Sequence, residues 1–274
     1  MILSLIAVPA LALTTPEDSM LNLDDSPIQI HPTAEIGFVG PVKHTIQFGK
    51  PGTVFDYVDE GGQDNLFPFL RMSVDLRLPK DQTLTLLYQP LNIETSIEAR
   101  QDLQFNDLAV PAGTPIETRY GFDFYRMSWT KDVLDSDMKE LGFGLSMQIR
   151  NATIDFVSSD GEISDTQRDI GPVPLFRTRG RFDYESGCWW GFEVDGAYAP
   201  IKYINGGTSD VVGALLDASL RLGQRGKNGI DSFVNLRYLG GGAEGTTDDP
   251  DPGEDGFTNN WLHTVSLSIG AIVR

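Results

Sequence analysis

The sequence predicts an all-β fold, an antiparallel up-and-down transmembrane β-barrel of about ten strands, with eight or twelve as the neighbouring counts, on three observations. Apolar and polar residues alternate in about ten segments, most longer than the roughly five or six residues usual for soluble strands. The connections between them alternate short and long. The polar face carries Arg, Asp, Asn, Gln and small residues rather than the Lys and Glu of a solvent face. Successive side chains of a strand point to opposite sides, so the pattern builds a sheet with one apolar and one charged face. A soluble sheet would turn the apolar face inward. Strand length, loop asymmetry and the arginine–carboxylate content turn it outward, to lipid.

Residues 1–12 form a short apolar run closing on Ala10-Leu11-Ala12, the pattern of a signal peptide cleaved after Ala12, although the usual Lys or Arg before the apolar core is missing. The alternative is an apolar strand of a soluble domain. Residues 13–33 are rich in Pro, Asp, Ser and Thr and read as a flexible periplasmic N-terminal tail, leaving 34–274 as the barrel domain.

The expected strands are 34–48, 68–79, 82–96, 115–131, 138–156, 168–184, 188–200, 210–223, 229–240 and 258–273. In the second, Leu70, Met72, Val74, Leu76 and Leu78 oppose Arg71, Ser73, Asp75 and Arg77; in the fifth, Leu141, Phe143, Leu145, Met147 and Ile149 oppose Gly142, Gly144, Ser146, Gln148 and Arg150. The third and fourth break parity near Pro90 and in Phe124–Met127, which suggests bulges. Connections at 80–81, 132–137, 185–187 and 224–228 are short; those at 49–67, 97–114, 157–167, 201–209 and 241–257 are mostly longer and acidic. Tyr88, Trp129, Tyr184, Trp189, Trp190, Tyr198, Tyr203 and Trp261 gather toward strand ends, as interfacial girdles do.

The polar face supplies a lumen network: Arg71, Asp75 and Arg77, then Arg119 and Asp123, Arg150, and Arg177, Arg179 and Arg181. Glu193, Asp195, Asp217, Arg221 and Arg237 follow on later strands. Guanidinium forks bind carboxylates bidentately, so the set reads as a salt-bridged filling of a narrow barrel, with an anion-selective lining as the alternative. Asp248, Asp249, Asp251, Glu254 and Asp255 form a candidate Ca²⁺ or Mg²⁺ loop, without the spacing of an EF-hand; a solvated acidic loop is the simpler reading.

The only histidines are His31, His44 and His263, and Ser128, Ser146 and Ser219 have no evident base, so no nucleophile–base pair can be proposed and the sequence leaves the question of an enzyme open, leaning against one. The single cysteine, Cys188, excludes an internal disulfide, and the net charge of −18 argues against nucleic acid as a partner.

From about Ala34 to Arg274 this pattern resembles the bacterial outer-membrane β-barrel superfamily, and its strand and loop plan is similar to the ten-stranded class, which includes the omptin proteases and certain adhesins. It departs from the common terminal Phe by ending Ile272-Val273-Arg274. The resemblance implies a Gram-negative outer-membrane location with periplasmic termini, handling by the barrel assembly machinery, and contact with outer-membrane lipid and lipopolysaccharide. The expected role is that of a structural or surface-interaction protein acting through acidic extracellular loops. The alternatives are a small anion or solute channel and a surface hydrolase acting on lipid or peptide through loop carboxylates or His44.

Overall fold

The computed structural model describes residues 28–105, 108–134, 136–158, 164–200, 210–247 and 255–274. Its strands are β1 (Gln29–Phe48), β2 (Phe55–Asp56), β3 (Phe67–Leu78), β4 (Gln82–Gln89), β5 (Asn92–Glu98), β6 (Leu103–Phe105) and β7 (Leu108–Val110), followed by β8 (Pro115–Asp132), β9 (Lys139–Ser158), β10 (Ser164–Asp183), β11 (Cys188–Pro200), β12 (Val212–Gln224), β13 (Ile230–Thr246) and β14 (Phe257–Val273). All wall pairings are antiparallel between neighbours in sequence, and β14 returns to β1 from Thr33↔Ile272 to Phe48↔Thr258, which closes the barrel. β4 and β5 both pair with β8 and make one stave, so the closed barrel has ten strands.

Three expectations about the strands need correction. β1 starts at Gln29, so residues assigned to the tail belong to the wall: Gln29 pairs with Arg77 and His31 with Asp75. No bulge forms at Pro90 or in Phe124–Met127. The register of β8 is continuous from Gln89↔Phe124 to Asn92↔Gly121 and along β9, because Pro90 removes a donor without inserting a residue. The shift lies instead between Pro41 and Lys43 of β1, where Val42 and Lys43 both face outward.

One end of the barrel carries the short connections and both ends of the wall. Its tightest turn, Lys80-Asp81, has positive φ at both residues (64° and 56°), the geometry a two-residue hairpin needs. At the other end, segments expected as exposed loops fold inward instead. β2 adds to the loopward end of β1, and β6 and β7 form a hairpin. Phe55, Tyr57, Leu103 and Phe105 from these segments are buried, since each would otherwise expose a large apolar surface to water.

The outer face is apolar around the circumference, with Phe38, Leu145, Leu267 and Ile269 each 57–61% exposed. Soluble proteins rarely expose patches beyond roughly a few hundred Å². A continuous belt of this kind, on a sheet closed into a barrel by the β14–β1 pairing, suits hydrocarbon. The chain therefore has the architecture of an outer-membrane β-barrel. The belt ends loopward at the stacked Tyr88–Tyr125 pair (4.9 Å) and at Tyr238, whose hydroxyl contacts His263 Nδ1 at 2.6 Å. Beyond it the outer face turns polar, with Lys43, Thr45 and Gln47 on β1 and Asn92, Glu94, Ser96 and Glu98 on β5. The wall thus extends past the membrane at the loop end. Of the expected girdle residues, Trp189 faces the lumen, its ring lying against the bare backbone of Gly223, and Tyr203 lies outside the described residues.

Candidate functional site: the lumen

Inward-facing positions stack into layers. Nearest the short turns, Arg181 donates to Asp183 (2.9 and 3.1 Å) and Asp231 (2.6 Å), and its guanidinium sits 4.2 Å from the Trp189 ring centre. Loopward of it, Arg179 joins Asp75 and Glu140 (both 2.8 Å), and Glu140 also accepts from Arg77 (2.7 Å). At mid-height Glu35 accepts from Arg71 (3.1 Å), Arg221 (2.8 Å), Asn235 (2.8 Å) and Ser268 (3.0 Å). Glu193 accepts from Arg71 (3.3 Å) and Arg221 (2.8 Å). The last polar layer holds Arg126 between Asp195 and Asp217 (2.8 Å each), Arg177 on Asp195, and Arg237 clamping Asp217 while reaching Gln89.

Ten arginines (71, 77, 126, 177, 179, 181, 221, 225, 237, 274) thus pair with eight carboxylates (Glu35, Asp75, Glu140, Asp183, Glu193, Asp195, Asp217, Asp231) among the described residues, Arg225 and Arg274 joining Asp183 (3.5 Å) and Asp231 (2.9 Å) at the turn end. Each of these guanidinium groups has a carboxylate partner, which bears on the two readings of the arginine-rich face. An anion site needs unneutralised cations, whereas these charges compensate one another. Removing a guanidinium from water costs several kcal/mol, so each buried arginine requires such partners.

Above Arg237 the lumen becomes apolar. Val39, Leu87, Leu91, Ile93, Ile116, Tyr120, Ile154 and Phe156 of the wall pack with Phe55, Tyr57 and Phe105 from the inserted segments, with Phe105 stacked on Phe156 at 4.4 Å. His44 is enclosed in this core: its Nδ1 is 2.8 Å from Gln63 Oε1, and its ring stacks on Tyr57 (4.3 Å) with its edge toward Tyr120. The core lies beyond the belt, since the outward residues of β1 from Lys43 onward are polar. Burial lowers the His44 pKa to about 4, offset in part by the Gln63 bond and the charge of Asp56. At the turn end an open polar vestibule of about 680 Å³, bordered by His31, Arg77, Glu140, Arg181 and Arg274, runs inward and stops at Glu193 and Arg221.

Of the residues singled out from sequence, Arg71, Asp75, Arg77, Arg177, Arg179, Arg181, Glu193, Asp195, Asp217, Arg221 and Arg237 meet in these layers. Arg119 and Asp123 do not. They sit on the outer face of β8, where Arg119 lies 3.7 Å from Glu94 and 3.8 Å from Asp155, because the inner face is held by even-numbered residues, among them Thr118, Tyr120, Phe122 and Arg126. Arg150 occupies an inward register position on β9, but its side chain lies outside the described residues, as do Asp248, Asp249, Asp251 and Glu254. Asp255 braces its loop by accepting from the backbone N–H of Lys50 (2.7 Å) and Phe257 (2.9 Å). Those bonds hold its carboxyl below the usual range. Ser128 and Ser146 bond each other at 2.8 Å, and Ser146 donates to Asp195, far from His44. Sequence reasoning missed Glu35, Arg126, Glu140, Asp183 and Asp231. Glu35 had a legible signal, the alternation with Ile36 and Phe38, whereas Arg126 was hidden by the supposed parity break around it.

No family model and no curated protein matches the chain. Among solved structures it is similar to the outer membrane protease OmpT of Escherichia coli, at 10% identity over 90% of this chain and 97% of that one, with a TM-score of 0.48. It is also similar to a FadL homologue of Pseudomonas aeruginosa (10% identity, 91% and 90% covered, TM-score 0.38). A third similar structure is Ail, the attachment invasion locus protein of Yersinia pestis (9%, 89% and 99%, TM-score 0.36). Similarity of this degree carries no information about activity or ligand.

Proposed function

We propose that this protein is a non-conducting outer-membrane barrel that serves as a structural and surface-interaction element, with both termini periplasmic and its extended loop end outside the cell. The observation that carries the reading is the double closure of the lumen, by neutralised ion pairs below and by an apolar core above. A solute path would have to disrupt both. The vestibule that remains ends blind.

The surface offered outward is acidic. Glu94, Glu98 and Glu117 are exposed on the outer faces of β5 and β8, beside Asp123 and Asp155, with Arg119 as the cation among them. Carboxylates this close to an outer-membrane rim can be bridged by Ca²⁺ or Mg²⁺, hard cations that prefer oxygen ligands, to the phosphates of lipopolysaccharide. Short turns on the periplasmic side and extended structure outside are the ordinary plan of such barrels.

A single cysteine at Ser96, between Glu94 and Glu98, tests orientation and contact together in a Cys188→Ser background. It is expected to react with a membrane-impermeant maleimide on intact cells, and several-fold faster after divalent cations are chelated. Labelling that requires lysis would overturn the orientation. A rate indifferent to chelation would remove the cation-bridged lipopolysaccharide contact.

A further inference from the structure

The wall is not laced together over its full height. β10 and β11 share eight residue pairs, from Phe176↔Gly196 to Asp183↔Trp189, whereas β10 pairs with β9 over nineteen residues and β11 with β12 over thirteen. Among the described residues no β10–β11 pair forms loopward of Phe176, although β10 reaches back to Ser164 and β11 runs on to Pro200.

The sequence supplies the cause. Pro172 and Pro174 lack N–H groups and share one parity, so both missing donors fall on the same edge of β10. The ladder to β9 passes them unbroken, through Pro172↔Ile149 and Pro174↔Met147. The edge deprived of donors is therefore the one facing β11. Proline in the interior of a sheet otherwise removes a ladder bond and is avoided there.

The seam opens inside the lipid-facing belt. On β11 the outward apolar row runs from Trp190 through Phe192 and Val194 to Tyr198, and the gap begins level with Gly196. Phe176 and Tyr198 flank it at 76% and 74% exposure. Directly behind lies an apolar cavity of about 170 Å³, lined by Tyr120, Phe122, Val173, Ala197, Leu215 and Leu239. Its glycines, Gly213, Gly241 and Gly242, keep the wall thin there. Leu239 is the inward residue one step loopward of Arg237, so the cavity floor is the uppermost ion-pair layer.

We infer that the seam is a lateral port through which the end of a phospholipid acyl chain enters this cavity from the surrounding leaflet. Apart from Asn260 and the Tyr120 hydroxyl the lining is apolar, and burying a polar group there unpaired would be costly. The entrance faces hydrocarbon rather than water. The volume exceeds that of an apolar cavity of about 150 Å³ known to stay dry and to accept a benzene-sized guest.

The test uses the full chain in vesicles of phosphatidylcholine carrying a diazirine at the end of one acyl chain, with photo-crosslinks mapped by residue. Crosslinks are expected at Val173, Leu215 or Leu239 in addition to belt residues such as Leu145. Ala197→Phe fills the cavity and is expected to lower the inner crosslinks at least ten-fold while leaving Leu145 unchanged. The double variant Pro172→Val/Pro174→Val restores both donors and is expected to do the same by zipping the seam. Absence of inner crosslinks in the wild type, or their persistence in either folded variant, overturns the port. A free fatty acid bearing the same diazirine, added to unlabelled vesicles, separates the sources: inner labelling by the acid but not by the phospholipid overturns the phospholipid assignment.

Discussion

Glu35→Ala is expected to cost about 3 to 5 kcal/mol of barrel stability, the usual effect of breaking a buried ion pair by removing one partner. Glu35 is 1% exposed and accepts from two guanidinium groups, Arg71 and Arg221, as well as from Asn235 and Ser268. Removing the carboxylate leaves those two cations on Glu193, which Arg177 also contacts, and Arg71, 2% exposed, has little water to replace the lost partner. Glu35→Gln keeps the shape and removes only the charge, so most of the loss should persist in it. Arg119→Ala provides the contrast. Its ion pairs are long, its side chain is 51% exposed, and the change should stay within about 1 kcal/mol. Urea unfolding in lipid vesicles reads all three variants. Equal midpoints for Glu35→Ala and Arg119→Ala would show that the ion-pair layers do not hold the barrel together.

The second expected effect is loosening of the loop-end core by acid. His44 stays neutral in the closed core down to about pH 4, whereas a solvated imidazole takes up a proton near 6.5. Between those values the opened state binds the extra proton, so the core is fully stable above about pH 6.5 and weakens as pH falls toward 4. At pH 4.5 the loss is about 2 to 3 kcal/mol, close to a hundred-fold in the opening equilibrium. Hydrogen exchange of the Tyr57 and Gln63 amides, which bond to His44 O at 2.8 Å and Tyr57 O at 2.9 Å, reports it after correction for intrinsic rates. His44→Phe should flatten the pH dependence. Protection that is unchanged from pH 7.5 to 4.5 in the wild type would remove His44 as its source.

Much of the wall was legible because period-2 alternation is a local signal. Leu70–Leu78 and Leu141–Arg150 each carry it without interruption, and the side of the sheet that each residue faces follows from parity alone. The inner layers were legible as far as parity held, which is why Arg177, Arg179 and Asp217 were found and Arg126, inside an apparent irregularity, was not. Arg119 was misplaced for a related reason. Charge suggested the lumen, but the wall continues past the membrane, and there outward positions can be charged at no desolvation cost. The inward fold of the segments holding Phe55, Tyr57 and Phe105 had no periodic signature. It results from the space left above Arg237, which only the closed barrel defines. The seam was likewise invisible strand by strand, because it depends on which edge of β10 Pro172 and Pro174 leave without donors.

Single-channel recording of the purified barrel in a planar lipid bilayer tests the sealed lumen most directly. The layers from Arg181 to Arg237, capped by the core around Phe156, should yield no regular conductance steps at any applied voltage. Reproducible steps of fixed size whose amplitude or ion selectivity changes in Arg177→Ala would contradict it, because that arginine is expected to be part of a filling and not of a pore.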